Sequence, residues 1–151
     1  MLEIGPALPA DVDAMVSLLN EMDEFYGDPE SEALDERAVQ VRAFLFGDGA
    51  VVEALVARDG GTVVGLASFS MLWPAARTTR SLFLKELYIL TAWRGKGVGR
   101  RLMGELDRIA RERGCSRVEF TTDTGNIDAQ AFYTSLGFQP HTGKIFYRRE
   151  L

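Results

Sequence analysis

The chain has 151 residues, of which 46% are hydrophobic and 26% charged, and its net charge is −5. That size and balance suit a single domain over residues 1–151 with a proper core, while the overall acidity argues against a nucleic-acid partner. No apolar stretch approaches the ~20 residues that span a bilayer, and Met1-Leu2-Glu3-Ile4 lacks the basic and apolar segments of a signal peptide.

In chain order, residues 2–8 read as a first strand. Val12, Met15, Leu18, Leu19, Met22 and Phe25 recur at helical spacing and predict an amphipathic helix over 9–25, broken by Gly27, Asp28 and Pro29. Leu34, Ala38, Val41 and Leu45 predict a second helix over 34–46. Residues 51–58 and 62–73 read as two strands joined by Asp59-Gly60-Gly61, a hairpin signal. A loop at 74–79 leads to a strand over 80–90, a helix over 97–113 ended by Gly114, a strand over 117–122 and a helix over 128–136. Phe138 and residues 144–149 read as a last pair of strands around His141-Thr142-Gly143, which places His141 in an exposed turn. Cys115, after Gly114 at a helix-to-strand junction, reads as a buried bystander; a lone cysteine permits no internal disulfide, and a lone histidine argues against a metal cluster. A metal-free, cytoplasmic protein is the expectation.

Charge is unevenly divided. Residues 1–80 hold fourteen acidic and five basic side chains, and residues 81–151 hold eight acidic and twelve basic, giving −9 and +4. Residues 21–36 contain eight acids and no base. Such a run is either a solvated face or a lure for a cationic substrate.

Residues 94–99 read Arg-Gly-Lys-Gly-Val-Gly between a strand and a helix. Glycines there leave backbone N–H groups free and let a ligand approach the main chain, and the helix N-terminus adds partial positive charge. Arg94, Lys96, Arg100 and Arg101 add full charges. The spacing is neither a P-loop, which needs Gly-x-x-x-x-Gly-Lys followed by Ser or Thr, nor the dinucleotide Gly-x-Gly-x-x-Gly. Further on, Asn126 stands as an N-cap before Ala129, Phe132, Tyr133 and Leu136, which share one helical face, and Gly137 and Phe138 follow. Taken alone, Phe132 and Tyr133 also suit ordinary core packing.

Together, Arg94-x-x-Gly97-x-Gly99 and Asn126-x-x-Ala129-x-x-Phe132-Tyr133 running into Gly137-Phe138 resemble the two motifs of the GNAT superfamily of N-acetyltransferases, over residues 82–138. The resemblance implies an α/β fold of GNAT type, with a central mixed, largely antiparallel sheet flanked by helices. It implies acetyl-CoA as co-substrate, with the pantetheine arm along the backbone of Leu87, Tyr88 and Ile89. Phosphate contacts map to Arg94, Gly95, Lys96, Gly97, Val98, Gly99 and Arg100, and further cofactor contacts to Asn126, Ala129, Phe132 and Tyr133. Thr91 stands where many members have proline, a departure that should loosen the turn.

The resemblance also implies roles for two side chains in direct acetyl transfer to a primary amine. Glu86 stands in an apolar strand, where a carboxylate is costly without a task or a partner. Alternation puts Leu84, Glu86 and Tyr88 on one face and Lys85 on the other. Glu86 is then a general base for the amine, or a structural carboxylate paired with Arg80 or Arg117. Tyr133 is the expected general acid for the departing thiolate. A small cationic amine is the preferred acceptor, with Glu24, Tyr26 and Trp73 as candidate substrate contacts. The alternatives are acetylation of a protein lysine or N-terminal amine and, in another class, a non-catalytic acyl-CoA-binding module. The family admits homodimers, and no nucleic-acid or membrane partner is expected.

Overall fold

The structure, a computed structural model, describes residues 1–28 and 32–151; Pro29, within the break expected after the first helix, lies outside the described residues. It contains two compact units, Met1–Phe120 and Thr121–Leu151.

The first unit is a five-stranded sheet in sequential order with helices on both faces. Strands β1 (Leu2–Pro6), β2 (Glu53–Asp59), β3 (Thr62–Leu72) and β4 (Arg80–Ile89) form an antiparallel meander, and β5 (Cys115–Glu119) pairs with β4 in parallel. Helices α1 (Val12–Tyr26) and α2 (Leu34–Phe46) lie between β1 and β2 in the chain, and α3 (Val98–Glu112) makes the crossover from β4 to β5 that a parallel pair requires. Successive residues of β3 divide the two layers. Leu66 packs with Met15 and Leu18 of α1, while a Cβ on Gly65 would sit 3.1–3.2 Å from Val98 and Leu102 of α3. Glycine at 65 thus lets α3 come close to the sheet. The buried stripe of α3 is Val98, Leu102, Met103, Leu106, Ile109 and Ala110, as the helical period requires.

β4 carries one residue more than β3 opposite it. Ser68 pairs with Glu86, but the next residue, Phe69, pairs with Leu84, so Lys85 is the extra residue of a bulge. Ser68 and Phe69 face opposite sides of the sheet, and so do their partners. This corrects the alternation expected from the sequence: Glu86 and Tyr88 share the α1 face, and Leu84 lies on the other. Nor does alternation separate Lys85 from Glu86.

Two polar links fasten α1. At its entry, the Leu8 N–H donates to Asp11 Oδ2 (2.7 Å), and Arg58 of β2 donates to the same carboxylate through Nη2 and through Nε (3.2 Å to Oδ1). Burial opposes the ionised form of Asp11, but the Arg58 hydrogen bond, the Leu8 N–H and the Arg58 charge together outweigh it and hold its carboxyl below the ordinary 3.8. Near the other end, Tyr88 donates its hydroxyl to Glu21 (2.8 Å), and the Thr91 N–H donates to the same Oε2 (3.2 Å). Tyr88 is a core residue, only 2% exposed, and its ring lies edge-on to Phe25 and Tyr26.

The second unit contains α4 (Ile127–Ser135). Asn126 caps it by accepting from the Ala129 N–H (3.1 Å). Its C-terminus closes on left-handed Gly137, with the Phe138 N–H donating to the Tyr133 carbonyl and the Gly137 N–H to that of Thr134. The Tyr133 and Phe138 rings meet at 6.2 Å, the apolar contact that accompanies this closure. The expected final strands at Phe138 and 144–149 are not formed: no ladder runs through 136–151, and Ile145, Phe146 and Tyr147 stay exposed. An alternating apolar segment becomes a strand only with a neighbour to accept its backbone hydrogen bonds. His141 is exposed, as expected, and Cys115 is half-buried, its Sγ 3.5 Å from Met71 Sδ. Among the described residues no helix is long and apolar enough to cross a membrane.

Removing one partner of a largely buried pair strands the other, so Asp11→Asn should lower stability by about 2 kcal/mol and the melting temperature by about 4–8 °C. Because the carboxyl is held below its unfolded value, this contribution is present above about pH 4 and disappears as pH falls through the folded pKa; the two proteins should therefore converge in acid melts. Tyr88 is displaced the other way. Burial and then the Glu21 hydrogen bond raise the phenol above 10.0, so its contribution is present below that pH and is lost above it. Denaturant unfolding should find Tyr88→Phe about 1–2 kcal/mol less stable than wild type at pH 7, with the gap closing above pH 10.

Candidate active site

The parallel ladder between β4 and β5 runs only from Arg80–Cys115 to Phe83–Glu119. Beyond it β4 continues through Leu87, Tyr88 and Ile89 with β3 on one edge and, among the described residues, no strand on the other. An extended ligand with amide groups can add to such an edge through main-chain hydrogen bonds. The bulge at Lys85 lies within this stretch, where a strand is re-aimed.

The edge leads straight into the glycine turn. A 3-10 turn at Thr91–Trp93 follows β4, and Gly95 and Gly97 adopt φ of +74° and +81°. These left-handed values suit glycine and are strained for other residues. Gly97 is also the N-cap of α3, so the N–H groups of Val98, Gly99 and Arg100 begin the helix without carbonyls a turn earlier to receive them. That is the geometry of an anion cradle. The cations around it are not alike. The Arg94 guanidinium is 4.2 Å from the Phe25 ring centroid and 5.1 Å from that of Tyr88, and its Nε donates to the Ile89 carbonyl (3.2 Å). Lys96 Nζ stands 4.8 Å from the Trp93 ring centroid. Arg100 and Arg101 are exposed on the first turn of α3. Arg94 thus ties the turn to α1 as well as charging it.

Glu86 is half-buried on the same sheet face as Tyr88. Of the two arginines expected as structural partners, Arg80 donates to the Arg113 carbonyl (2.7 Å) and Arg117 lies 3.9 Å from Glu119. In the second unit, Asn126, Ala129, Phe132 and Tyr133 are half-buried or capping on α4, with the Phe132 and Tyr133 rings 5.2 Å apart.

A cavity of about 320 Å³ opens between α1, α2 and the sheet. Met15, Leu19 and Met22 line it from α1, Gln40, Val41, Phe44 and Leu45 from α2, and Ala54, Leu66 and Ser68 from β2 and β3. Its charged lining is Asp23, Glu32 and Arg37, with Arg37 donating to Asp23 (2.5 Å). Ser68 is the register partner of Glu86, and directly opposed residues hold their Cβ atoms about 5 Å apart on one face. Glu24, Tyr26 and Trp73 do not line this cavity. Glu24 accepts from Asn20 (3.3 Å), Tyr26 packs edge-on against Phe25, and Trp73 is exposed, its Nε1 donating to the Thr78 carbonyl. The sequence signal for the lining was the apolar spacing of α1 and α2. It was legible as core, but not as the part of the core that stays open.

The model of the acetyltransferase (GNAT) family matches residues 15–138. Over 147 residues the chain is 26% identical to mouse thialysine N-epsilon-acetyltransferase, covering 92% of this chain and 85% of that protein. It is 30% identical over 107 residues to an aminoglycoside N(6')-acetyltransferase of Stenotrophomonas maltophilia, covering 69% of each. An integron cassette protein from the mobile metagenome of Vibrio cholerae superposes with a TM-score of 0.90 at 26% identity, over 99% of this chain and 92% of that one. The chain belongs to the acetyltransferase (GNAT) family and is an acyltransferase.

Proposed function

We propose that the chain transfers an acetyl group from acetyl-CoA directly to a primary amine, within a ternary complex and a single domain that spans both units. One observation carries this reading: the β4 edge left by β5 at Phe83 runs past Leu87–Ile89 into a glycine turn at the N-terminus of α3. An extended amide arm and a phosphate group need those two features in that order. The family match across residues 15–138 supports one domain, and relatives named for thialysine and aminoglycosides support an amine acceptor.

Bound acetyl-CoA supplies the thioester carbonyl. Leu87, Tyr88 and Ile89 hold its arm through main-chain groups, and the turn from Arg94 to Arg100 holds its phosphates. An alkylammonium with a pKa near ~10.4 is not nucleophilic at neutral pH, so the site must accept a proton. Glu86 is the base we assign, since it faces the α1 side next to the cavity-lining Ser68. The phenol of Tyr133 is the acid we assign for the departing thiolate, as the family motif implies. A small cationic amine is the acceptor we assign, and the acids of residues 21–36 favour its approach.

Glu86→Gln should lower kcat by about 10²–10⁴-fold, the usual span for a positioned proton transfer, while acetyl-CoA binding measured by calorimetry persists. Equal turnover would remove Glu86 from the chemistry. Tyr133→Phe should slow thiol release over the same range with little change in KM for the amine, and a fully active variant would pass the proton donation to water.

A further inference from the structure

Building on the amine-acetyltransferase reading, we infer that the cavity beside Glu86 takes the carbon chain of the acceptor, so that the preferred substrate is a primary amine on an unsubstituted aliphatic or aralkyl chain. A polyhydroxylated amine is disfavoured. The walls from α1 and α2 are mostly apolar, with Asp23, Arg37 and Gln40 as their polar members, and Ala54 on the floor keeps open a space that a larger side chain would fill. Asp23 and Arg37 neutralise each other, so the charged lining, with Glu32, carries one net negative charge, suited to an ammonium ion and not to a carboxylate. The polar residue next to the proposed base is Ser68, and the position beside it on that face is Leu66. Hydroxyl groups of a sugar-like acceptor would lose water there and find few partners, whereas each methylene would leave water for an apolar wall.

The test is thiol release from acetyl-CoA with propylamine, hexylamine, octylamine, phenethylamine, glucosamine and kanamycin. The expected result is a rise in kcat/KM of roughly threefold per methylene from propyl to hexyl, with glucosamine and kanamycin poorest. Ala54→Leu should cut kcat/KM for octylamine more than tenfold and for propylamine by a smaller factor. Should that variant not fold, Phe44→Asp on the exposed rim should lower octylamine turnover in the same selective way. Flat dependence on chain length, or kanamycin equalling hexylamine, would overturn the inference and leave the acetyltransferase reading standing. No thiol release with any amine, while acetyl-CoA still binds, would overturn both.

Discussion

One extra residue in β4 governs the arrangement of this molecule. Because Lys85 has no counterpart on β3, the strand changes phase between Leu84 and Glu86. Leu84 remains buried on one face, while Glu86 and Tyr88 turn to the other, towards α1. Without the bulge, simple alternation would keep Leu84 on the face of Glu86. With it, a carboxylate stands beside a cavity and a tyrosine reaches Glu21 across the helix layer. Close by, β5 ends its pairing with β4, so the re-aimed stretch is also the stretch with an open edge. A bulge and a short neighbouring strand together re-aim this part of β4 and, among the described residues, leave one of its edges without a strand.

Helix α1 serves two ends of that place. Through Met15, Leu19 and Met22 it walls the cavity, and through Glu21 and Phe25 it holds the turn that opens α3. The Glu21 carboxylate accepts from both the Tyr88 hydroxyl and the Thr91 N–H, and the Arg94 guanidinium lies against Phe25. The cavity and the turn are thereby both packed against the same helix. The acidic run of residues 21–36 is not a uniform solvated face. Glu21 and Asp23 are tied into the fold by Tyr88 and Arg37, whereas Glu24 is exposed and accepts from Asn20 one turn earlier.

Local rules succeeded where the physics is local. Asn126 as a cap, the shared face of Ala129, Phe132 and Tyr133, and Gly137 closing the helix against Phe138 all involve residues within a few positions of each other. The stripes of α1 and α3 likewise follow from the 3.6-residue period. The strands of the meander were legible from apolar runs and the Asp59-Gly60-Gly61 turn. The same alternation failed at 144–149, where Ile145, Phe146 and Tyr147 have the pattern of a strand without a ladder. It failed again at Lys85, where period 2 breaks for a reason visible only in the register with β3.

The sequence by itself determined the family-like turn Arg94-x-x-Gly97-x-Gly99, the α4 motif, the positions of the helices and the uneven division of charge. These depend on neighbours in the chain, on backbone conformations open to glycine and on side-chain composition. Only the tertiary structure decided that Glu86 and Leu84 face opposite ways, that Arg94 stacks on Phe25, that β4 outruns β5 and that the space between α1, α2 and the sheet stays open beside Ala54 and Ser68. Each of these rests on residues far apart in sequence meeting in register, and no local pattern encodes which strand ends first or which core gap is left unfilled.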